Sequence, residues 1–309
     1  MIRVEIEVCR RTNTFHQYDV YHDESRVAGY WHGILLAPRE NRQRLLDLLA
    51  GVRRNTNCLT QVSLKTLDGL SGPKFRCTRS WLHIGIAALI QNLKGERYPI
   101  FTGEDARSPG YDLLDKVIGA RLILSRIRDG HTPLAGYPDH ASKVETTFRM
   151  AFKGGLSLFS SGGSELSINS IHFDGHEHHR RHIDRNRIIE RIDRLPDSVS
   201  LPASVEIDDR RSDHRREPCQ AYDDCQLLQL TDILVGGFRT VLGTATKQVH
   251  YDVCKPLLQL AERWSKGPLR MSRSKWSNEF CISEAYIEDH QWKFANISPA
   301  AEHNQPKLF

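Results

Sequence analysis

The last third of the chain contains its most apolar segment, Tyr222 to Leu242, with an aspartate in the middle. The central run LLQLTDILVGG leaves little polar surface, which predicts a helix that is buried on most sides. A buried carboxylate without a partner takes up a proton, and it stays ionised only beside a cation or strong hydrogen-bond donors. Asp232 is therefore a candidate ligand of a cation, although pairing with an arginine would explain it equally well.

Two neighbours of Asp232 share its stripe of the predicted helix. Gln229 lies one turn earlier and Gly236 one turn later. A glycine at that position leaves room for a ligand or for a close backbone. We therefore include Gln229 among the candidate site residues.

Strand and helix patterns alternate along the chain, which predicts a mixed α/β domain. Strand patterns cover residues 18–22, 29–37, 59–67, 98–102, 166–173 and 204–207, and helical patterns cover 39–54, 75–93, 111–128, 142–159, 182–195, 222–242 and 253–264. Two weaker strand patterns follow residue 272. The first two strands are close enough to form a hairpin with its turn at 23–28, so we expect a sheet with both parallel and antiparallel pairs.

Three further acids stand at the ends of predicted strands. Asp23 and Glu24 end the first strand (YDVYHDES), and Asp174 ends the strand SINSIHFD. By the period of two, Ser170, His172 and Asp174 share one face of that strand. Acids at strand ends also form ordinary turns, and that alternative stays open.

Two strand-end acids and one acid on a buried helix form the set that a two-metal phosphodiester site requires. Such carboxylates come from separate elements and hold Mg²⁺ or Mn²⁺ ions about 3.5–4 Å apart. The set is Asp23, Asp174 and Asp232. Further candidates for a fourth ligand are Asp208, Asp209, Asp223 and Asp224, of which we place Asp209 in the metal set. Each of these pairs also fits a solvated turn or a helix start.

Two short motifs resemble a known family. DES at Asp23 to Ser25 lies on the first strand, and QLTD at Gln229 to Asp232 lies in a late apolar helix. Together they resemble the opening and closing motifs of the bacterial domain-of-unknown-function family 3800, which belongs to the ribonuclease H-like superfamily. The match spans roughly residues 18 to 245, and the sequence between the motifs diverges.

The resemblance implies a ribonuclease H-like fold, with a mixed five-stranded sheet that starts with a hairpin and is flanked by helices. On this basis we expect such a domain over residues 1–265, a helical insertion at about 75–160, and a C-terminal extension over 266–309. The superfamily carries its acids on the first strand, on a later central strand and on a final helix. Asp23 with Glu24, then Asp174, then Asp232 fit those positions.

Composition sets broad limits on function. The 309 residues carry a formal charge of +5, a mild basic excess that is compatible with a polyanionic partner. Seven cysteines without a CxxC pair predict reduced thiols rather than a zinc site. We find no run of roughly 18–20 apolar residues and no secretory signal, so we expect a cytoplasmic protein that does not interact with a membrane.

Histidines and one lysine accompany the acids. Five histidines surround Asp174: His172, His176, His178, His179 and His182. They fit a solvated loop, a transition-metal site, or one histidine that positions water beside the acids, for which His176 is the candidate. Lys65 on the predicted third strand is either a surface lysine or a phosphate contact.

Three functions remain open on the sequence. The first is a Mg²⁺- or Mn²⁺-dependent nuclease with nucleic acid as its partner. The second is a catalytically inactive scaffold of the same fold that binds nucleic acid or protein in a defence or mobile-element system. The third is a histidine-site metallohydrolase. The C-terminal extension offers apolar area for a homodimer or a partner protein.

Overall fold

The structure is a computed structural model that describes residues 16–26, 29–89, 118–127, 139–160, 165–174, 195, 197–201, 206–210, 222–244, 247–265, 280–288 and 291–296. The strands are β1 His16–Arg26, β2 Tyr30–Pro38, β3 Arg121–Ile127, β4 Leu166–Asp174, β5 Val199–Ser200, β6 Glu206–Arg210, β7 Phe280–Glu288 and β8 Gln291–Asn296. The helices are α1 Arg39–Thr56, α2 Gly72–Leu89, α3 His140–Ser160, α4 Tyr222–Arg239 and α5 Gln248–Ser265. A 3₁₀ turn spans Leu64–Thr66, and a π-helical turn, Thr240–Thr244, follows α4.

All eight strands belong to one mixed sheet. The order is β5-β4-β1-β2-β3-β7-β8, and β6 pairs with the same strand as β5, namely β4. The β1–β2, β2–β3 and β7–β8 pairs are antiparallel. The β1–β4, β4–β5, β4–β6 and β3–β7 pairs are parallel. The expected mixed α/β class is confirmed, with β1 and β2 as the expected hairpin.

The two faces of the sheet carry separate apolar cores. On β1, Tyr21 belongs to the core shared with α1, α2, α4 and α5. Tyr18 and Val20 belong to the core beneath α3. Side chains alternate between faces along a strand, so Asp19, Asp23 and Ser25 lie on the Tyr21 face. The candidate site therefore lies on the four-helix face.

Helix α4 lies directly on the centre of that face. It packs against β1, β2 and β4. A Cβ atom added at Gly33 of β2 would lie 2.7 Å from the Cβ atom of Val235. No real pair of such atoms comes that close, so the helix depends on a glycine at this position. Residue 33 is also the cross-strand partner of Asp23.

Several predicted elements are confirmed and others are wrong. The helices predicted at 39–54, 142–159 and 222–242 correspond to α1, α3 and to α4 with its π-helical turn. The helix predicted at 111–128 is wrong over its described part, because Arg121–Ile127 forms β3. The strand predicted at 59–67 is wrong too, since these residues form irregular backbone with one 3₁₀ turn.

The sheet also differs from the five-stranded one that the resemblance implies. β1 continues to Arg26, so Asp23 and Glu24 lie within the strand rather than in a turn. β7 and β8 come from the region expected as a C-terminal extension, and they continue the central sheet beyond β3. β3 lies inside the segment expected as a helical insertion. The predicted elements at 98–102 and 182–194 lie outside the described residues. Within the described chain, no helix is both long enough and apolar enough to cross a membrane.

Candidate functional site

Asp23 is the centre of the candidate site. It lies near the end of β1, on the face that α4 covers, and its residue surface is 7% exposed. The adjacent strand places Gly33 opposite it. The absence of a side chain at residue 33 lets α4 approach, and this approach buries the carboxylate.

Asp174 lies on the neighbouring strand at the same level. β1 and β4 run parallel, and their last paired residues are His22 and Phe173. Asp23 and Asp174 are the next residues on these two strands. Ser170 Oγ lies 2.9 Å from His172 Nε2, so these two side chains lie on the same face, as predicted. By alternation Asp174 belongs to that face too.

Asp232 reaches the same region from the helix. It lies one turn before Val235, the residue that packs over Gly33. Its side chain is 14% exposed, and Oδ1 lies 4.0 Å from Lys65 Nζ. The lysine comes from the 3₁₀ turn rather than from a strand, and its side chain is 67% exposed, so it is a surface lysine that also reaches the site.

The electrostatics show that the three acids interact. Burial raises the pKa of Asp23 well above its ordinary value, and the charges of Asp232 and Asp174 raise that pKa further. Lys65 lowers it in part. The Oδ2 atom of Asp23 is buried and has no hydrogen-bond partner among the described residues. Ionisation of Asp23 is therefore disfavoured, because burial and the two neighbouring carboxylates outweigh the effect of the lysine.

Arg239 supplies a second positive charge at the end of α4. It donates a hydrogen bond to Ser25 Oγ on β1. Burial lowers the pKa of its guanidinium, while the charges of Asp232 and Asp23 act in the opposite direction. Arginine nevertheless stays protonated at neutral pH. The site thus combines three carboxylates with two cationic side chains.

A second buried polar network continues from the site along β1 and β4. Asp19 accepts a hydrogen bond of 2.8 Å from Ser170 Oγ. Asp224, in the first turn of α4, accepts hydrogen bonds from Tyr21 Oη at 2.9 Å and Arg42 Nη2 at 2.7 Å. Its network also includes His172, whose Nε2 lies 3.8 Å from Asp224 Oδ1.

This network differs from the Asp23 cluster in its charge balance. Burial on its own would raise the pKa of Asp224, but the charge of His172 and the bonds from Tyr21 and Arg42 outweigh it, so the pKa is lowered. Asp224 is thus a satisfied carboxylate that fixes the start of α4. The sequence analysis included it only as a reserve ligand. Its signal was an acid in the first turn of a buried helix.

Glu24 does not join the three aspartates. Its cross-strand partner is His32, and His32 Nε2 lies 2.6 Å from Thr147 Oγ1 on α3. Glu24 therefore lies on the opposite face of the sheet, where its charge raises the pKa of His32 against the larger lowering by burial. Adjacent strand residues point to opposite faces, so Glu24 acts on Asp23 only through its charge, which adds to the raised pKa.

Gln229 has a structural environment. Its Oε1 accepts a hydrogen bond from Arg53 Nη2 and one of 3.0 Å from the Val62 backbone N–H. These contacts tie α4 to the end of α1 and to the segment before Lys65. The position therefore holds the frame of the site, and Gln229 faces Arg53 rather than the carboxylates.

Of the remaining predicted residues, Asp209 can be placed only by its backbone, and His176 cannot be placed. Asp209 lies on β6, where its Cα atom pairs with that of Phe173, one residue before Asp174. Its side chain lies outside the described part of the structure. His176 and the four-histidine segment that follows Asp174 lie outside the described residues altogether.

The donor set fits a hard divalent cation in its chemistry. Asp23, Asp174 and Asp232 offer carboxylate oxygens, which Mg²⁺ and Mn²⁺ prefer, and no group in the described part of the chain bonds to the buried Oδ2 atom of Asp23. Within the described ranges, however, no three His, Cys, Asp or Glu side chains already form a ready-made metal site. Binding would require these carboxylates to move closer together.

Comparisons with known proteins leave the family open. No family model matches the chain, and no curated protein matches it at a significant level. The resemblance of the DES and QLTD motifs to family 3800 therefore stays a prediction.

Proposed function

We propose that this protein is a metal-dependent phosphodiesterase that cleaves nucleic acid. The observation that carries the proposal is the burial of Asp23 between Asp174 on the adjacent strand and Asp232 on α4, with a raised pKa and an oxygen that no group of the described chain bonds to. Such a cluster is costly for a folded protein unless a cation binds there. Functional sites are where such costs are retained.

The arrangement also supports a ribonuclease H-like fold as part of the proposal. The first two described strands form a hairpin in a mixed sheet. The three acids come from the first strand, a parallel neighbour of that strand and a late helix. These are the positions that the motif resemblance implies.

The three aspartates would hold the divalent ions, and Mg²⁺ or Mn²⁺ would supply an activated water and charge stabilisation at the leaving oxygen. The protein's own cations have a complementary part. Lys65 and Arg239 lie on the Asp232 side of the cluster and offset the charge of an incoming phosphate. β1, β4 and α4 fix the backbone positions of the three acids, so the approach of the carboxylates to a cation would come from their side chains.

Cleavage of a mixed panel of DNA, RNA and hybrid substrates tests the proposal. We expect cleavage that needs added Mg²⁺ or Mn²⁺ and falls by at least about a hundredfold in Asp23→Asn and in Asp232→Asn. Asp47→Asn is the matched control, because this acid is exposed on α1 and pairs only with Gln43 in the described chain. Cleavage that survives both site substitutions would contradict the proposal.

A catalytically inactive scaffold of the same fold is the second candidate. The proximity of Lys65 to Asp232 favours it, since a lysine already neutralises part of the acid cluster. This candidate predicts binding of nucleic acid or a partner protein without cleavage under any metal. The cleavage panel, run beside a binding assay, separates the two.

The proposed compartment is the cytoplasm. Within the described residues, Cys58, Cys77 and Cys254 are buried and form no disulfide bond. Buried free thiols are typical of reducing compartments, which supports this part of the proposal without deciding it.

A further inference from the structure

A cavity of about 210 Å³ opens beside Asp232, between the 3₁₀ turn, α4 and the start of α5. We call it the cationic pocket, and the residues that matter for its chemistry are Ser25, Lys65, Asp232, Arg239, Lys247 and His250. None of them belongs to the second buried polar network, which contains Asp19 and Asp224 and is called the Asp19–Asp224 network below. Asp232 belongs to both the pocket and the acid cluster, so the two are contiguous.

Positive charge dominates the lining. The lining contains three cationic side chains, Lys65, Arg239 and Lys247, and one carboxylate, that of Asp232. Lys247 Nζ lies 3.2 Å from Asp68 Oδ1, but that aspartate side chain is 87% exposed, so solvent screens the pair. The ring of His250 adds a hydrogen-bonding group, and its Nε2 lies 3.3 Å from the Leu67 carbonyl oxygen.

The backbone adds to this potential. Lys247 directly precedes α5, an 18-residue helix, and His250 lies in its first turn. The N-terminal end of a helix carries partial positive charge from its peptide dipoles. The first turn of α5 therefore adds a positive potential at the pocket wall.

Size decides which anion the pocket suits. Small-molecule sites usually enclose about 300–1,000 Å³, so a 210 Å³ cavity is too small for a complete ligand of that kind. It accommodates one phosphate group with part of its sugar. The rest of such a ligand must continue outside the pocket, as a polynucleotide does.

We propose that the cationic pocket binds a backbone phosphate of the nucleic acid, next to the phosphate that the acid cluster would cleave. Lys65 and Lys247 neutralise its charge, and Arg239 offers fork-shaped donors. This inference rests on the proposed function, because it assigns the substrate of that site to a polymer and fixes its path from Asp23 toward α5.

The test is binding of a labelled single-stranded DNA oligonucleotide to the full chain in EDTA. Fluorescence anisotropy measures this binding at several salt concentrations. We expect Lys247→Ala to weaken binding about fivefold and to make the slope of log K against log salt shallower by about 0.7. We expect Lys65→Ala to weaken binding to a similar degree. Lys255→Ala is the matched control, since this lysine is exposed on the same helix as His250 and should bind like the wild type.

Two results would overturn the inference. One is that Lys65→Ala and Lys247→Ala bind the oligonucleotide as Lys255→Ala does. The other comes from adding inorganic phosphate at constant ionic strength. Saturable binding of phosphate that Lys247→Ala abolishes, without any effect of Lys247→Ala on the affinity for the oligonucleotide, would make free phosphate the ligand instead of a polymer.

Hydrolysis of bis(p-nitrophenyl) phosphate with Mn²⁺ separates the failure of this inference from that of the proposed function. This small diester needs the acid cluster but not a polymer path. Hydrolysis that Asp23→Asn abolishes, together with an unaltered Lys247→Ala affinity for the oligonucleotide, would reject the pocket and retain the phosphodiesterase. A Lys247-dependent affinity without any hydrolysis would retain the pocket and reject the phosphodiesterase.

Discussion

The carboxylate of Asp23 is buried at a cost that no hydrogen bond from the described chain offsets at its Oδ2 atom. Its pKa is raised because burial, Asp232 and Asp174 all disfavour the charged form. A carboxyl with a raised pKa binds its proton more tightly in the folded state than in the unfolded state. The folded protein therefore loses stability as the pH rises from about 4, the ordinary carboxyl pKa, toward the raised pKa.

Asp23→Asn should remove this loss. In EDTA at pH 7.5, we expect the free energy of unfolding to rise by about 1 kcal/mol or more, since the amide has no charge to desolvate. The pH dependence above 4 should also become flatter than in the wild type. Urea unfolding across this pH range measures both effects, with Asp47→Asn as the exposed control. A variant that is less stable than the wild type, with the same pH dependence, would contradict this account of Asp23.

Gln229 makes a different prediction, because its role is structural. Gln229→Ala removes the acceptor of Arg53 Nη2 and of the Val62 N–H, while Arg53 Nη1 keeps its bonds to the carbonyl oxygens of Cys58 and Thr60. We expect a loss of about 3 kcal/mol in the free energy of unfolding. Gln43→Ala, which removes only an exposed bond to Asp47, is the control. Full stability combined with lost cleavage would instead place Gln229 among the catalytic groups.

At this scale the sequence predicted the acids better than their neighbours. Asp232 was recognisable because it interrupts an apolar helix, and Asp23 and Asp174 because they end strand patterns. The sequence grouped Glu24 with Asp23. Both residues lie within β1, and adjacent residues of a strand face opposite sides of the sheet. The Asp19–Asp224 network combines side chains up to 205 positions apart, between residues 19 and 224, so local patterns carry no trace of it.

At the scale of elements, the docking of α4 onto β1 and β2 decides whether the site exists. Val235 packs on Gly33, and Asp232 lies one turn earlier on the same helix. Any displacement of α4 from the sheet moves Asp232 relative to Asp23. Gly33 is therefore needed because it lets α4 approach the sheet at the site, and its role is not to form a turn.

Gly33→Ala should displace this helix. The new Cβ would stand 2.7 Å from the Val235 Cβ, and backbone must move to relieve the contact. We expect a loss of about 1–3 kcal/mol in the free energy of unfolding, together with reduced cleavage, since Asp232 moves with α4. Gly69→Ala has open space around its new methyl group and serves as the control in both assays. Equal stability of the two variants would show that α4 does not depend on residue 33.

The two misassigned elements have physical reasons. The segment RLILSRI of β3 is a short apolar run with nearly every residue buried, and periodicity does not separate such a strand from a buried helix. The segment at 59–67 alternates as a strand does. Here Gln229 takes the Val62 N–H, and this tertiary bond replaces a sheet partner.

At the scale of the whole molecule, the C-terminal strands complete the sheet. β7 pairs with β3 along residues 122–127, and β8 pairs with β7. This pairing joins segments more than 150 residues apart in the sequence, from 122 to 280, and no local pattern could predict it. The mixed class and the hairpin start, by contrast, followed from local patterns alone.

Truncation tests the contribution of these strands. A chain that ends at residue 265 lacks β7 and β8 and exposes the edge of β3, whose residues include Leu122 and Leu124. Bare apolar edge strands promote aggregation, so we expect this chain to aggregate on concentration. A chain that ends at Asn296 keeps all eight strands and should remain monodisperse in light scattering to the same degree as the full chain. Monodisperse behaviour of the shorter chain would make residues 266–309 a dispensable extension.

The most direct test of whether the three aspartates form one cation site is the binding of Mn²⁺ to the full chain after EDTA treatment. Isothermal titration calorimetry measures this binding. We predict saturable binding by the wild type and by Asp47→Asn, and affinity weakened at least about tenfold in Asp174→Asn and in Asp232→Asn. Absence of saturable binding by the wild type, or an affinity that the site substitutions leave unchanged, would contradict the account.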